Sequence, residues 1–133
     1  MIDIESKVYG PIATALYGAF PGIAVSGEYV NAPSEFPFVS IVEADNYMSV
    51  QRLDSSDTEK YATLMYEINV YSNKGSRKKS ECKQIMAAID AMMYSKNFTR
   101  ITMTPVPNME NASIYRMTAR YRAETDGTNI YRR

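Results

Sequence analysis

The stretch Tyr61–Lys96, YATLMYEINVYSNKGSRKKSECKQIMAAIDAMMYSK, decides the fold, because two different periodicities meet inside it. Over Tyr61–Tyr71, Ala62, Leu64, Tyr66, Ile68 and Val70 alternate with Thr63, Glu67 and Asn69, so successive side chains leave opposite faces of an extended chain. This predicts a half-buried strand. From Ser76 to Lys96, the residues Cys82, Ile85, Met86, Ile89, Met92 and Met93 recur at helical spacing and form one apolar stripe. Burying each large side chain is worth on the order of 1.5–3 kcal/mol, so the helix depends on packing more than on local propensity. Ser72 to Gly75 is the connecting turn, Ser76 the expected N-cap, and Asn97 the residue able to take the left-handed conformation that stops a helix.

The start of that helix works against its own stability. Arg77, Lys78, Lys79 and Lys83 crowd the positive end of the helix dipole, and only Glu81 offsets them. Two readings stand: a solvated, salt-screened helix start, or a basic patch retained for an acidic neighbour.

Working outward toward the N-terminus, Phe36–Ala44 is apolar on both faces and reads as a central, doubly covered strand with Pro37 at its very start. Ile23–Val30 reads as a short strand, with Gly27 as a bulge position. Ile4, Val8, Ile12, Leu16 and Phe20 form an i, i+4 row, so residues 3–20 read as an amphipathic helix. Pro11 removes a backbone donor there, so the helix either kinks or properly starts near Pro11. Residues 45–60 are polar and aperiodic, an exposed arm carrying Asp45, Asp54, Asp57 and Glu59 that either orders on a partner or stays mobile.

Toward the C-terminus, Phe98–Val106 is a strand ended by Pro105 and Pro107, and Asn108–Asn111 is a turn. Ala112–Glu124 is the last long strand. Tyr115, Met117, Ala119, Tyr121 and Ala123 share one face, and Arg116, Arg120 and Arg122 stripe the other, either paired with Glu67 or its like on a neighbouring strand or docking an acidic surface or nucleic acid. Residues 125–133 turn at Asp126-Gly127 and then carry Tyr131 and Arg132; they fray or reach to another copy. The order α-β-β-β-α-β-β predicts one α+β domain, a mainly antiparallel sheet of about five strands with both helices on one face.

At 133 residues a second core is not expected, and no apolar run reaches a membrane-spanning length. The acidic start Met1–Glu5 is unlike a secretory signal, which together with the single Cys82 predicts folding in a reducing cytoplasm. Charge is balanced, 15 basic against 15 acidic residues, which argues against a surface wholly devoted to nucleic acid. Eleven tyrosines and nine methionines supply residues common at interfaces and in ordinary sheets alike.

With no histidine and one cysteine, the usual general base and a zinc site are missing. No phosphate-binding glycine loop is present, and the Ser-x-x-Lys spacings at Ser76 and Ser80 stand without companion motifs. Carboxylates are expected to cluster only in the 45–60 arm, where nothing tunes their pKa. No catalytic residue, cofactor or metal is therefore expected.

The segments Ala15–Ile23, Ser26–Tyr29, Phe36–Val39, Tyr66–Lys74, Arg120–Ala123 and Ile130–Arg133 together resemble the tail terminator, or tail completion, proteins of long-tailed bacteriophages. The resemblance covers most of the chain and implies a small structural subunit assembled in the host cytoplasm. Six copies would form a ring capping the head-proximal end of the tail tube, stopping its growth and receiving the head connector. The implied partners are further copies of the chain, the tail tube protein and a connector or stopper, with non-specific contact to DNA in the channel and none to membrane. On the charge pattern, Asp45, Asp54, Asp57 and Glu59 would meet Arg77, Lys78 and Lys79 of the next copy, and Arg116, Arg120, Arg122, Tyr131 and Arg132 would face a neighbour or the channel. The alternatives are another head–tail joining protein, a stopper or adaptor, and a small-molecule-binding dimer.

Overall fold

Alternation over 62–72 does produce a strand, and it lies at the middle of the sheet. The computed structural model describes residues 1–30, 33–48, 61–107 and 113–131. Along the chain these form α1 (Glu5–Ala19), β1 (Ala24–Ser26), β2 (Phe38–Met48), β3 (Ala62–Ser72), α2 (Lys78–Ser95), β4 (Thr99–Val106), β5 (Tyr115–Thr125) and β6 (Ile130–Tyr131). The sheet order is β1-β2-β3-β5-β4, with β6 pairing β5. Every pairing is antiparallel except β1 with β2. The chain is thus α+β in the expected order, with β6 as a sixth, short strand.

Both helices cover one face. Val8, Ile12 and Leu16 of α1 and Cys82, Ile85, Met86, Ile89 and Met93 of α2 join Val39, Ile41, Leu64, Tyr66, Ile68, Val70, Ala119, Tyr121 and Ala123 of the sheet in one core. The stripe on α2 is the one its periodicity marks out, and Cys82 is a small residue within it.

Several local expectations are corrected. β3 is buried on both faces, not half-buried: Thr63, Glu67 and Asn69 are covered as well as the apolar row. Its polar alternate residues are hidden because β3 has a strand on each side and a hydrogen-bonded polar network over it. β3 is thus the middle strand of the five, while β2 is interior too, between β1 and β3, and is buried on both faces over Phe38–Ile41 as expected of it. β2 runs on to Met48 past a bulge between Glu43 and Asp45, so Asp45 belongs to a strand and not to a loop. β1 is only three residues long and pairs in parallel; the bulges fall in β2 and β4, not at Gly27. β4 passes through Pro105 to Val106, which an edge strand tolerates because a missing donor there breaks no inner ladder.

The helix ends differ too. α1 starts at Glu5 and continues through Pro11. The carbonyl of Lys7 that Pro11 cannot satisfy accepts instead from Lys96 Nζ at 3.2 Å. Ser76 is not an N-cap: a single 3-10 turn over Gly75–Arg77 leads into α2, which has no side-chain cap. Asn97 does take the left-handed conformation, with φ 69°. The tail neither frays nor leaves the subunit as far as Tyr131: Gly127, with φ 96°, turns it back, and β6 pairs Glu124 and Thr125 of β5. Asp54, Asp57, Glu59, Arg132 and the turn at 108–111 lie outside the described residues.

Candidate functional site

Direct pairing across antiparallel strands puts partners on the same face, so the register assigns every sheet residue to one side. On the side away from the helices, one row reads Ser40, Asn69, Thr118, Thr104, the next Val42, Glu67, Arg120, Thr102, and the flanking ones bring in Arg116 and Arg122. Arg120 Nη2 donates to Glu67 Oε1 at 2.8 Å, the cross-strand partner expected for it. Arg116 donates twice to Asn69 Oδ1, at 3.1 and 2.9 Å, and its guanidinium lies over the Tyr71 ring at 5.4 Å. Thr118 donates to the same Asn69 oxygen at 2.6 Å. Arg122 is half-buried, with its Nε lacking a hydrogen-bond partner. Arg116 and Arg120 are therefore tied into the sheet while keeping an outer surface; the Arg120 side chain is 50% exposed.

The basic helix start lies elsewhere. Arg77 and Lys79 are exposed and Lys78 half-buried. Glu81 is engaged by Lys74 Nζ at 2.8 Å and by the Ser72 hydroxyl at 2.7 Å, so the nearest carboxylate is already committed and does not neutralise Arg77 or Lys79. These cations follow Ser72, the far end of β3, whereas Asp45 pairs with Met65 near its beginning. Seven residues of strand separate the two levels, about 23 Å at about 3.3 Å per residue. Asp45 and the helix-start cations Arg77, Lys78 and Lys79 are thus not brought together within one subunit, whereas Arg122 shares the register row of Asp45 through Met65. Tyr131 is placed by its own chain: its hydroxyl donates to Asp126 Oδ2 at 2.9 Å.

Carboxylates do cluster outside the arm, contrary to expectation. Asp3, Glu5 and Glu43 each bring an oxygen within 4.8 Å of the others. Sequence reasoning missed this because Glu43 is some forty positions from the helix it faces, although alternation with Val39 and Ile41 puts it on the core face. Burial, and then the charges of Asp3 and Glu5, push the Glu43 carboxyl above its ordinary range. Along the same row, Tyr121 donates to Asp90 at 2.7 Å and Arg100 pairs with Asp90 at 3.3 Å, closing a small polar depression beside Tyr94 and Phe98.

Among the described residues no helix is long and apolar enough to cross a membrane. No protein-family model matches the chain, and no curated protein matches it either.

Proposed function

We propose that the chain is a structural subunit of a long-tailed bacteriophage, a tail terminator that assembles as a ring on the head-proximal end of the tail tube, halts tube growth and receives the head connector. The reading starts from the resemblance of the sequence to that family. The observation that carries it here is the separation of charge along the strands. Asp3, Glu5 and Glu43 gather at the level of Tyr66, midway along β3, with Asp45 one pairing further toward its start, and Arg77, Lys79 and Lys83 stand beyond the far end of β3. Opposite charges held too far apart to meet within a subunit favour head-to-tail contact between subunits, the heterologous type that closes into rings. Exposed Tyr47 and Met48 beside the acidic group and exposed Tyr17 and Tyr94 on the helices add the amphipathic contact area such joints use.

Light scattering of the purified protein, alone and with polymerising tail tube protein, tests the reading. A ring, or a monomer that becomes a ring on tube ends and limits tube length, is the expected result. A stable dimer indifferent to tube would replace it with the small-molecule-binding reading, and a ring that ignores tube but binds a portal-side protein with the stopper or adaptor reading.

A further inference from the structure

The three carboxylates at the start of α1 are, among the described residues, not paired with a cation. Among the described residues no lysine or arginine makes an ion pair with Asp3, Glu5 or Glu43, and the nearby Lys7 ammonium is spent on the Gly127 carbonyl at 2.9 Å. The helix dipole accounts for Asp3 and Glu5, since anions are favoured at a helix N-terminus and Asp3 Oδ1 accepts the Glu5 amide at 3.0 Å. It does not account for Glu43, which comes from β2 and brings a third negative charge to the same place.

A second observation is independent of the cluster. Tyr66 is fully buried, and its hydroxyl has no hydrogen-bond partner. It pairs directly with Glu43 across β2 and β3, so both side chains rise from the same face, and the charges that act on the phenol are those of Glu43, Glu5 and Asp3. Glu43 Oε1 is likewise buried without a partner. A buried hydroxyl and a buried carboxylate oxygen, both unsatisfied and rising from one face of directly paired residues, are costly unless something answers them. A groove of about 350 Å³ lined by Asp3, Glu5, Ser6 and Tyr9 opens on the Asp3 and Glu5 side of the cluster.

We infer that Asp3, Glu5 and Glu43 form a binding site for a hard divalent cation of the calcium class, with the Tyr66 hydroxyl as an oxygen at its inner wall. The donor set is all oxygen, which excludes a preference for zinc or copper. Carboxylates able to bind through one or both oxygens, on an exposed helix end next to a strand bulge, suit the flexible, high coordination of calcium better than the strict octahedron of magnesium. Bound there, the ion replaces three-way repulsion with attraction and ties the entry of α1 to the bulge of β2.

The test titrates calcium chloride alone into the full chain, by calorimetry and by thermal unfolding, against Glu43→Gln, Asp3→Asn and the distant exposed Glu35→Gln. The expected result is one ion per chain with Kd in the range of about 10⁻⁵–10⁻³ M and a calcium-dependent rise in Tm. Glu43→Gln and Asp3→Asn should each weaken binding by about tenfold or more, with Glu35→Gln unchanged. In chelator Glu43→Gln should melt above the parent chain, because it removes the like charge, and calcium should no longer raise its Tm. Absence of heat and of any Tm shift up to about 10 mM calcium, or affinity unchanged in Glu43→Gln, would overturn the inference. Should Glu43→Gln fail to fold by circular dichroism, Asp3→Asn on the exposed helix end decides in its place.

Discussion

Cys82 sits at zero exposure against β3 and β5, its thiol directed at the carbonyls of Val70 and Tyr115 at 3.6 and 3.5 Å. Burial, reinforced by the charge of Glu81, pushes its pKa up to about 12, so almost no thiolate exists near neutral pH. A thiol reagent should therefore label the native protein only at the rate of unfolding and label it at once in denaturant; rapid native labelling would place Cys82 outside the core. Asp126 shows the opposite influence. Its carboxylate accepts from the amides of Asn129 and Thr128, at 2.7 and 2.8 Å, and from the Tyr131 hydroxyl, and these bonds hold its pKa below the usual carboxylate range. A depressed folded pKa means stability that is present above the unfolded value, about 3.9, and is lost as pH falls through the folded value. Loosening of β6 is thus expected only below about pH 4, read as loss of amide-exchange protection at Tyr131, and Asp126→Ala should show the same loosening at neutral pH.

Among the elements, α1 explains how a helix keeps a proline in its interior. Pro11 deprives the Lys7 carbonyl of its intrahelical donor, and Lys96, at the end of α2, supplies one from outside. This bond also fixes the ends of the two helices together. Lys96→Met should cost about 0.5–1.5 kcal/mol in chemical unfolding, and the cost should shrink in a Pro11→Ala background, where the new amide can satisfy Lys7 by itself. Equal losses in both backgrounds would show that the Lys96 contact does not answer the proline. The same pair marks where sequence reading stops. The rows Ile4-Val8-Ile12-Leu16 and Cys82-Ile85-Met86-Ile89-Met93 were legible because apolar spacing reports which face is buried, and the core uses both. Spacing is silent on what a polar strand residue meets across the sheet. Glu67 and Asn69 therefore read as an outer face although the Arg116, Thr118 and Arg120 side chains cover them. Glu43 read as an ordinary strand residue, because its neighbours Asp3 and Glu5 reach it only through tertiary packing. Ser76 fits a cap by residue type, but the 3-10 turn moves the N-cap one residue on, to Arg77.

For the whole molecule, the two sets of arginines and lysines have different duties, and charge reversal separates them. Glu67 is buried and has Arg120 as its ion-pair partner, so Arg120→Glu sets two carboxylates against each other at the sheet centre and should destabilise the fold by about 2–4 kcal/mol, whatever the assembly does. Arg77 and Lys79 are exposed at the positive end of α2, with no cap and with Glu81 held by Lys74 and Ser72. Reversing both, Arg77→Glu with Lys79→Glu, replaces repulsion with attraction at the helix dipole and should raise stability by a few tenths to about 1 kcal/mol per site. If these cations serve the joint between copies, the same variant should lose ring formation or tube capping, and the loss in the parent chain should mimic it at high salt, where charges exposed about 10 Å or more apart are screened. Stability and assembly would then move in opposite directions under one pair of substitutions. A variant that melts higher and still caps tube would show that the basic helix start is only a solvated end and that the ring is joined through the apolar surface instead.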